Sequence, residues 1–215
     1  MYRAFASRLK ATVFDTIPRS RLMTRGPTTA RRVALTFDDG PDDRTLAYLD
    51  LLDELGVRAT FFLMGDRSSK TPKLVMEYVR RGHQIAGHGY DHESFTRLRH
   101  STLVDQIERT NAVLGPQPTA RPWVRPPYGH VDAFVLARLL LHGSMIALWS
   151  FDSYDYKIRD PDALVARCAP ENITPGEVLL FHEGQQWTLD ALPRIVRALR
   201  DAGYELVTMA EMIEE

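Results

Sequence analysis

The feature that most constrains this chain is an alternation that begins at Arg32. Short apolar runs recur: "RVALTF", "ATFFLM" (59–64), "HQIAG" (83–87), "WVRP" (123–126), "SMIALW" (144–149), "EVLLF" (177–181) and "YELV" (204–207). Between them lie stretches of helical periodicity. Residues 45–55 set Leu46, Leu49 and Leu52 or Leu55 on one face. Thr71-Pro72 and Asp160-Pro161 each read as an N-cap followed by proline, and Gly82 as a stop. Further helices are expected over 101–114, 132–141, 161–169 and 188–202. Seven apolar runs alternating with helical stretches, with short links and no low-complexity spacer, imply a mainly parallel sheet, either a barrel or an open doubly wound sheet.

With 44% hydrophobic and 26% charged residues over 215 positions, the composition is that of a folded α/β domain rather than a disordered chain. A formal charge of −1 gives no global field for nucleic acid. The single cysteine, Cys168, excludes an internal disulfide and a Cys-rich metal site, and its setting "LVARCAP" suits a small core residue. No apolar stretch approaches the ~20 residues that span a bilayer. "MYRAFASRLKATVFDTIP" is interrupted by charge every few residues, so no signal peptide is expected and the chain reads as cytoplasmic.

The first 32 residues carry eight Arg or Lys against one acid, Asp15. Tyr2, Phe5, Leu9, Val13 and Ile17 recur there at helical steps. Residues 1–31 therefore read as a basic amphipathic arm that either lies peripherally on an anionic membrane or packs on the body of the domain, 32–215.

The polar residues gather just after the strands, in "DDGPDD", "HGYDH", "RPPYGH", "SFDSYD" and "HEG". In a parallel barrel those strand ends converge on one rim. Four aspartates after the first run, Asp38, Asp39, Asp42 and Asp43, repel one another unless a cation answers them. His88 and His92 are four apart, a spacing that lets both imidazoles reach one metal, and Asp38 or Asp39 would complete a two-His, one-Asp site with open positions. One aspartate would bind the metal and the other would act beside it as a base. Taken alone, Asp38 and Asp39 also suit a turn and a helix cap, and Arg125 a structural ion pair. His83, His100, His130 and His142 read as surface or satisfied histidines, and Tyr48 and Trp149 as core residues.

"TFDDGP", "ATFFLMG", "HGYDH", "RPPYG", "WSFDSYD" and "LLFHE" resemble, in order and spacing, the NodB-homology polysaccharide deacetylases of carbohydrate esterase family 4. The resemblance runs from about Val33 to the C-terminal helix. It implies a distorted (β/α)7-type barrel with its active site at the C-terminal strand ends. It also implies a divalent metal, most often zinc, and hydrolysis of an N-acyl group from an amino sugar. By that resemblance Asp38 is the general base, and Asp39, His88 and His92 are the metal ligands. Arg125 holds the base, and the Tyr128 backbone N–H serves the oxyanion. Asp152 orients the acid His182, Leu180 walls the acyl pocket, and Tyr156 stands where the family has Trp. Trp187, in a loop-like stretch past His182, would touch a sugar ring.

Three departures bear on specificity and rate: Gly89 for the family's Ser or Thr, Tyr156 for its Trp, and Glu183 for the Asp that commonly follows the acid histidine. The expected substrate is an acetylated or formylated amino sugar in a cytosolic oligosaccharide, nucleotide sugar or lipid-linked precursor. The alternatives are hydrolysis of a cyclic amide or ureide, and a glycan-binding module with a degenerate site.

Overall fold

The computed structural model describes Phe14 and residues 16–213. Its strands are β1 (Leu22–Met23), β2 (Arg32–Gly40), β3 (Thr60–Leu63), β4 (Gln84–Gly87), β5 (Trp123–Val124), β6 (Met145–Ala147), β7 (Phe151–Asp152), β8 (Val178–His182) and β9 (Glu205–Val207). Every strand pairing among the described residues is parallel. The order is β1-β6-β5-β4-β3-β2-β8-β7, with β9 on the first residues of β2. Parallel neighbours need crossover connections. These are supplied by α1 (Thr45–Leu55), α2 (Gly65–Lys70), α3 (Pro72–Arg80), α4 (His100–Leu114), α5 (Ala133–His142), α6 (Pro161–Arg167) and α7 (Gln186–Asp201), while α8 (Met209–Ile213) closes the chain. The result is a distorted (β/α) barrel, open between β7 and β1.

β2 shows how the sequence places the site. Side chains alternate along a strand, so Val33, Leu35 and Phe37 enter the cluster beneath the outer helices while Ala34 enters a second, interior cluster with Phe62 and Ala86. Phe37 stacks on Phe61 and Phe181 at centroid separations of 5.1 and 5.7 Å, with Tyr48 of α1 edge-on at 5.5 Å. The interior face of the same strand continues through Thr36 to Asp38, so an aspartate reaches the inside of the barrel by strand parity.

All seven expected strands form. β1 and β7, two residues each, and the helices α2 and α8 do not follow from periodicity. α2, "GDRSSK", has no apolar stripe; its Gly65 and Asp66 amides instead donate to the Gly89 and Tyr90 carbonyls. Thr71 makes no side-chain cap for α3; its hydroxyl donates back to the Arg67 carbonyl. On α1 the inward residues are Tyr48, Leu49 and Leu52, while Leu46 is exposed.

The sequence boundary at residue 32 is not a structural one. β1 pairs with β6, and Phe14 and Ile17 pack on the cluster around Val135 and Leu139. Tyr2, Phe5, Leu9 and Val13 of the arm lie outside the described residues. Among those described, no helix is long and apolar enough to cross a membrane. Cys168 is buried in the main cluster.

Because Phe37 is fully buried between three rings, Phe37→Ala should destabilise by about 3–5 kcal/mol, read as a lower urea midpoint at unchanged m-value.

Candidate active site

Two adjacent strand residues would normally face opposite sides, yet Asp38 and Asp39 both reach one cavity. The register between β2 and β3 shifts there: Asp38 pairs with Phe62, but Gly40, not Asp39, pairs with Leu63. Asp39 is thus the extra residue of a bulge, at φ 71°, and the bulge re-aims its carboxylate. The Asp39 carbonyl accepts from Arg67 at 2.6 Å.

Asp38 is 3% exposed and Arg125 fully buried, and Arg125 Nη1 donates to Asp38 Oδ1 at 2.6 Å. The guanidinium also donates to the Thr36 hydroxyl at 2.9 Å and the Leu148 carbonyl at 3.0 Å, and lies over the Phe62 ring at 3.8 Å. Burial pulls the Arg125 pKa down, against the attraction of Asp38. Three directional bonds fix the head group, so Asp38 meets a cation that cannot swing away.

His88 follows β4 directly. Its Nδ1 lies 2.8 Å from the Arg125 carbonyl oxygen, which can only accept. Nδ1 therefore bears the hydrogen, and Nε2 offers a lone pair. Burial lowers the His88 pKa and favours this neutral form. Nε2 lies 3.5 Å from Asp39 Oδ1 and 3.6 Å from Asp38 Oδ2, and His92 Nε2 lies 3.1 Å from Asp39 Oδ1. One ligand atom each from Asp39, His88 and His92 fall within 4.8 Å of one another. Burial works upward on the Asp39 carboxyl, but His92, His88 and His182 hold it well below the usual carboxylate range. Its buried Oδ1 has no partner in hydrogen-bonding geometry. An ionised oxygen within 3.5 Å of two imidazole nitrogens matches the donor set of a divalent cation.

His182 ends β8, paired in register with Asp38. The carboxylate behind it is Asp155, not Asp152. Asp155 is fully buried, and its Oδ1 lies 2.7 Å from His182 Nδ1. Its Oδ2 accepts from the His182 amide at 2.7 Å and the Thr188 hydroxyl at 3.1 Å. Burial lowers the His182 pKa, but the hydrogen bond and charge of Asp155, helped by Asp38 and Asp39, raise it to about 9. Asp152 is occupied elsewhere: its carboxylate accepts from the Tyr154 amide at 2.8 Å and the Tyr156 hydroxyl at 3.3 Å. Spacing alone could not separate two aspartates three apart.

A cavity of about 380 Å³ unites these groups with Tyr128, Trp149, Tyr156, Leu180 and Gln185. Trp149, expected in the core, is a half-buried wall of this cavity. Trp187 is not a wall: its Nε1 donates to the Asp155 carbonyl at 2.7 Å, and its ring packs on the main core. Tyr128, at φ 61°, sets its ring edge against His92 at 4.6 Å. Tyr156 lies edge-on to His182 at 5.3 Å. Gly89 sits at φ 77°, where a side chain would be strained and would press on Phe95 and Pro127, so a Ser or Thr has no unstrained place here.

Glu183 is also buried, at 3% exposure, with no ion pair among the described residues. Tyr78 and Thr45 hydroxyls donate to it, and burial pushes its pKa up to about 8.

Residues 25–146 match the family model described as polysaccharide deacetylase. The chain belongs to that family. Along 209 residues it is 33% identical to a Bacillus cereus peptidoglycan-N-acetylglucosamine deacetylase, covering 94% of this chain and 76% of the relative. A crystal structure of a peptidoglycan N-acetylglucosamine deacetylase bound to a hydroxamate superposes with a TM-score of 0.84 at 34% identity, over 90% of this chain and 92% of the other. A Streptomyces lividans family 4 carbohydrate esterase in complex with acetate superposes at 0.75 and 32% identity, over 83% and 92% of the two chains. Polysaccharide deacetylases of this family hydrolyse N-acetyl groups on amino sugars, and by family this chain is one of them.

The geometry ranks two aspartates. Asp155→Asn should lower kcat by about 10²–10⁴-fold, the range for a disabled general acid. It should also move the alkaline limb of the rate profile below the pH of about 9 set by His182, because the lost charge is what raises that pKa. Asp152→Asn should leave that limb in place.

Proposed function

We propose that this deacetylase removes the acetyl group from an N-acetylated amino sugar within a glycan, using a divalent cation held by Asp39, His88 and His92. The observation that carries the reading is one cavity holding three ligand atoms within 4.8 Å together with the Asp38–Arg125 and His182–Asp155 pairs. The relatives point to the same substrate class: one is named for the N-acetylglucosamine of peptidoglycan, and another holds acetate, the acid that such a reaction releases. The expectation of a lipid-linked precursor rests on the basic arm, most of whose apolar stripe lies outside the described residues. The glycan is therefore proposed without a lipid.

The chemistry follows from the protonation states. A divalent cation at this site supplies Lewis-acid polarisation of the amide carbonyl and lowers the pKa of water from ~15.7 toward ~7. Asp38 takes the proton of the attacking water. Its Oδ1 is committed to Arg125, which leaves Oδ2 on the side of the metal ligands. Water oxygen bonds to the carbonyl carbon, and the Tyr128 amide stabilises the developing oxyanion, a donor worth about 3–4 kcal/mol. His182, protonated on both nitrogens below pH 9, passes a proton to the amine nitrogen as the C–N bond breaks. Acetate and the free amino sugar leave. Leu180, Trp149 and Tyr156 give the methyl group an apolar surround.

The test is acetate release from N-acetylglucosamine oligomers and peptidoglycan fragments with zinc present. Release should stop on chelation and return with added zinc, and Asp38→Asn should lose about 10²–10⁴-fold in kcat. Chelator-insensitive release, or none from any acetylated sugar, would overturn the reading.

A further inference from the structure

We propose that Glu183 is a positioning residue for the proposed metal ligand Asp39, pinning both residues that flank it. The role rests on the metal reading given above. On one side, the Glu183 amide donates to the Asp38 carbonyl at 3.0 Å. On the other, its carboxyl lies so close to Gly40 that a Cβ there would collide with Oε2 and approach the Tyr78 hydroxyl to 2.8 Å. Asp39, the bulged residue at φ 71°, is thus bracketed by one side chain and its own backbone. Backbone held away from its preferred region persists only where the surroundings impose it.

The carboxyl is itself fixed from two helices. The Tyr78 hydroxyl of α3 lies 2.9 and 2.8 Å from Oε1 and Oε2 and donates to Oε1, and Thr45, the first residue of α1, donates to Oε1 at 3.1 Å. The Thr45 hydroxyl in turn accepts from the Asp42 amide at 2.8 Å, tying down the far end of the "DDGPDD" segment. The charged groups facing Glu183 are Asp42, which raises its pKa, and Arg67, which lowers it. Glutamine can replace an uncharged glutamic acid here: its carbonyl at the Oε1 position accepts from both Thr45 and Tyr78, and its amide, like the acid's O–H, donates to the Tyr78 oxygen. Aspartate keeps the acid but falls a methylene short of Tyr78. The glutamate noted in the sequence as a departure is therefore matched to the particular reach between β8 and α3 in this chain.

Zinc affinity, measured by chelator competition, tests the role directly. Glu183→Asp and Tyr78→Phe should each weaken zinc binding by about 10–100-fold, the usual effect of losing support behind a ligand. The pair combined should weaken it less than the product of the two, since both break one contact. kcat should fall with KM unchanged, and Glu183→Gln should stay within about threefold of wild type in both readouts. Tyr78→Phe carries the test where Glu183→Asp does not fold. Unaltered zinc affinity and kcat in folded variants, with only a lower Tm, would overturn the positioning role while leaving the metal reading intact. Wild-type protein that takes up no zinc, indistinguishable from Asp39→Ala, would overturn both.

Discussion

The site depends on one buried ion pair, Arg125 with Asp38. Burying either charge alone would cost several kcal/mol. The barrel interior accepts them because Arg125 satisfies three acceptors at once, on β2 and just past β6. Its own carbonyl, at the end of β5, receives the Nδ1–H of His88. One arginine thereby sets the direction of the base and the tautomer of a proposed metal ligand. Removing it would leave Asp38 charged and unpaired, a loss typically of about 3–5 kcal/mol, and would free His88 to turn.

The remaining precision is stored in backbone. Among the described residues, the non-glycine positions with positive φ are Asp39, His92, Tyr128 and Tyr154. The first three line the cavity, and the fourth turns the chain between Asp152 and Asp155. Left-handed backbone at such residues costs about 1–3 kcal/mol each and persists only where packing imposes it. The locations imply that packing energy from the aromatic core around Phe37 and Phe61 is spent on aiming side chains at the rim.

Much of this was legible in the sequence. Apolar runs of strand length, separated by helical periodicity, specified a mainly parallel sheet and gathered the polar residues at the strand ends; the choice of a barrel over an open sheet came from the motifs' resemblance to a family. Parity along β2 would have put Asp38 and Asp39 on opposite faces; the bulge that reunites them has no apolar signature. The choice between Asp152 and Asp155 depended on a left-handed turn at Tyr154, a residue type that rarely announces one. Trp187 is not in a loop: α7 begins at Gln186 and swings the indole behind Asp155 rather than toward a sugar. The burial of Glu183, a departure in the sequence with no stated partner, follows from the reach of Tyr78 and Thr45, which lie 105 and 138 residues away in the chain.

Four acids at neighbouring strand ends would repel if they were alike, and the fold makes them different. Asp38 is answered by Arg125, and Asp155 by His182. Glu183 avoids charge, its pKa pushed to about 8 by burial. That leaves Asp39, strongly acidic, its buried Oδ1 without a hydrogen-bond donor and two imidazole nitrogens within 3.5 Å. Burial opposes protonation of His88, so that imidazole does not balance it. The residual negative charge at the centre of the cavity is what a divalent cation held by Asp39, His88 and His92 would cancel. Pushing paired titratable groups apart in this way is how one pocket holds an acid and a base ready at the same pH.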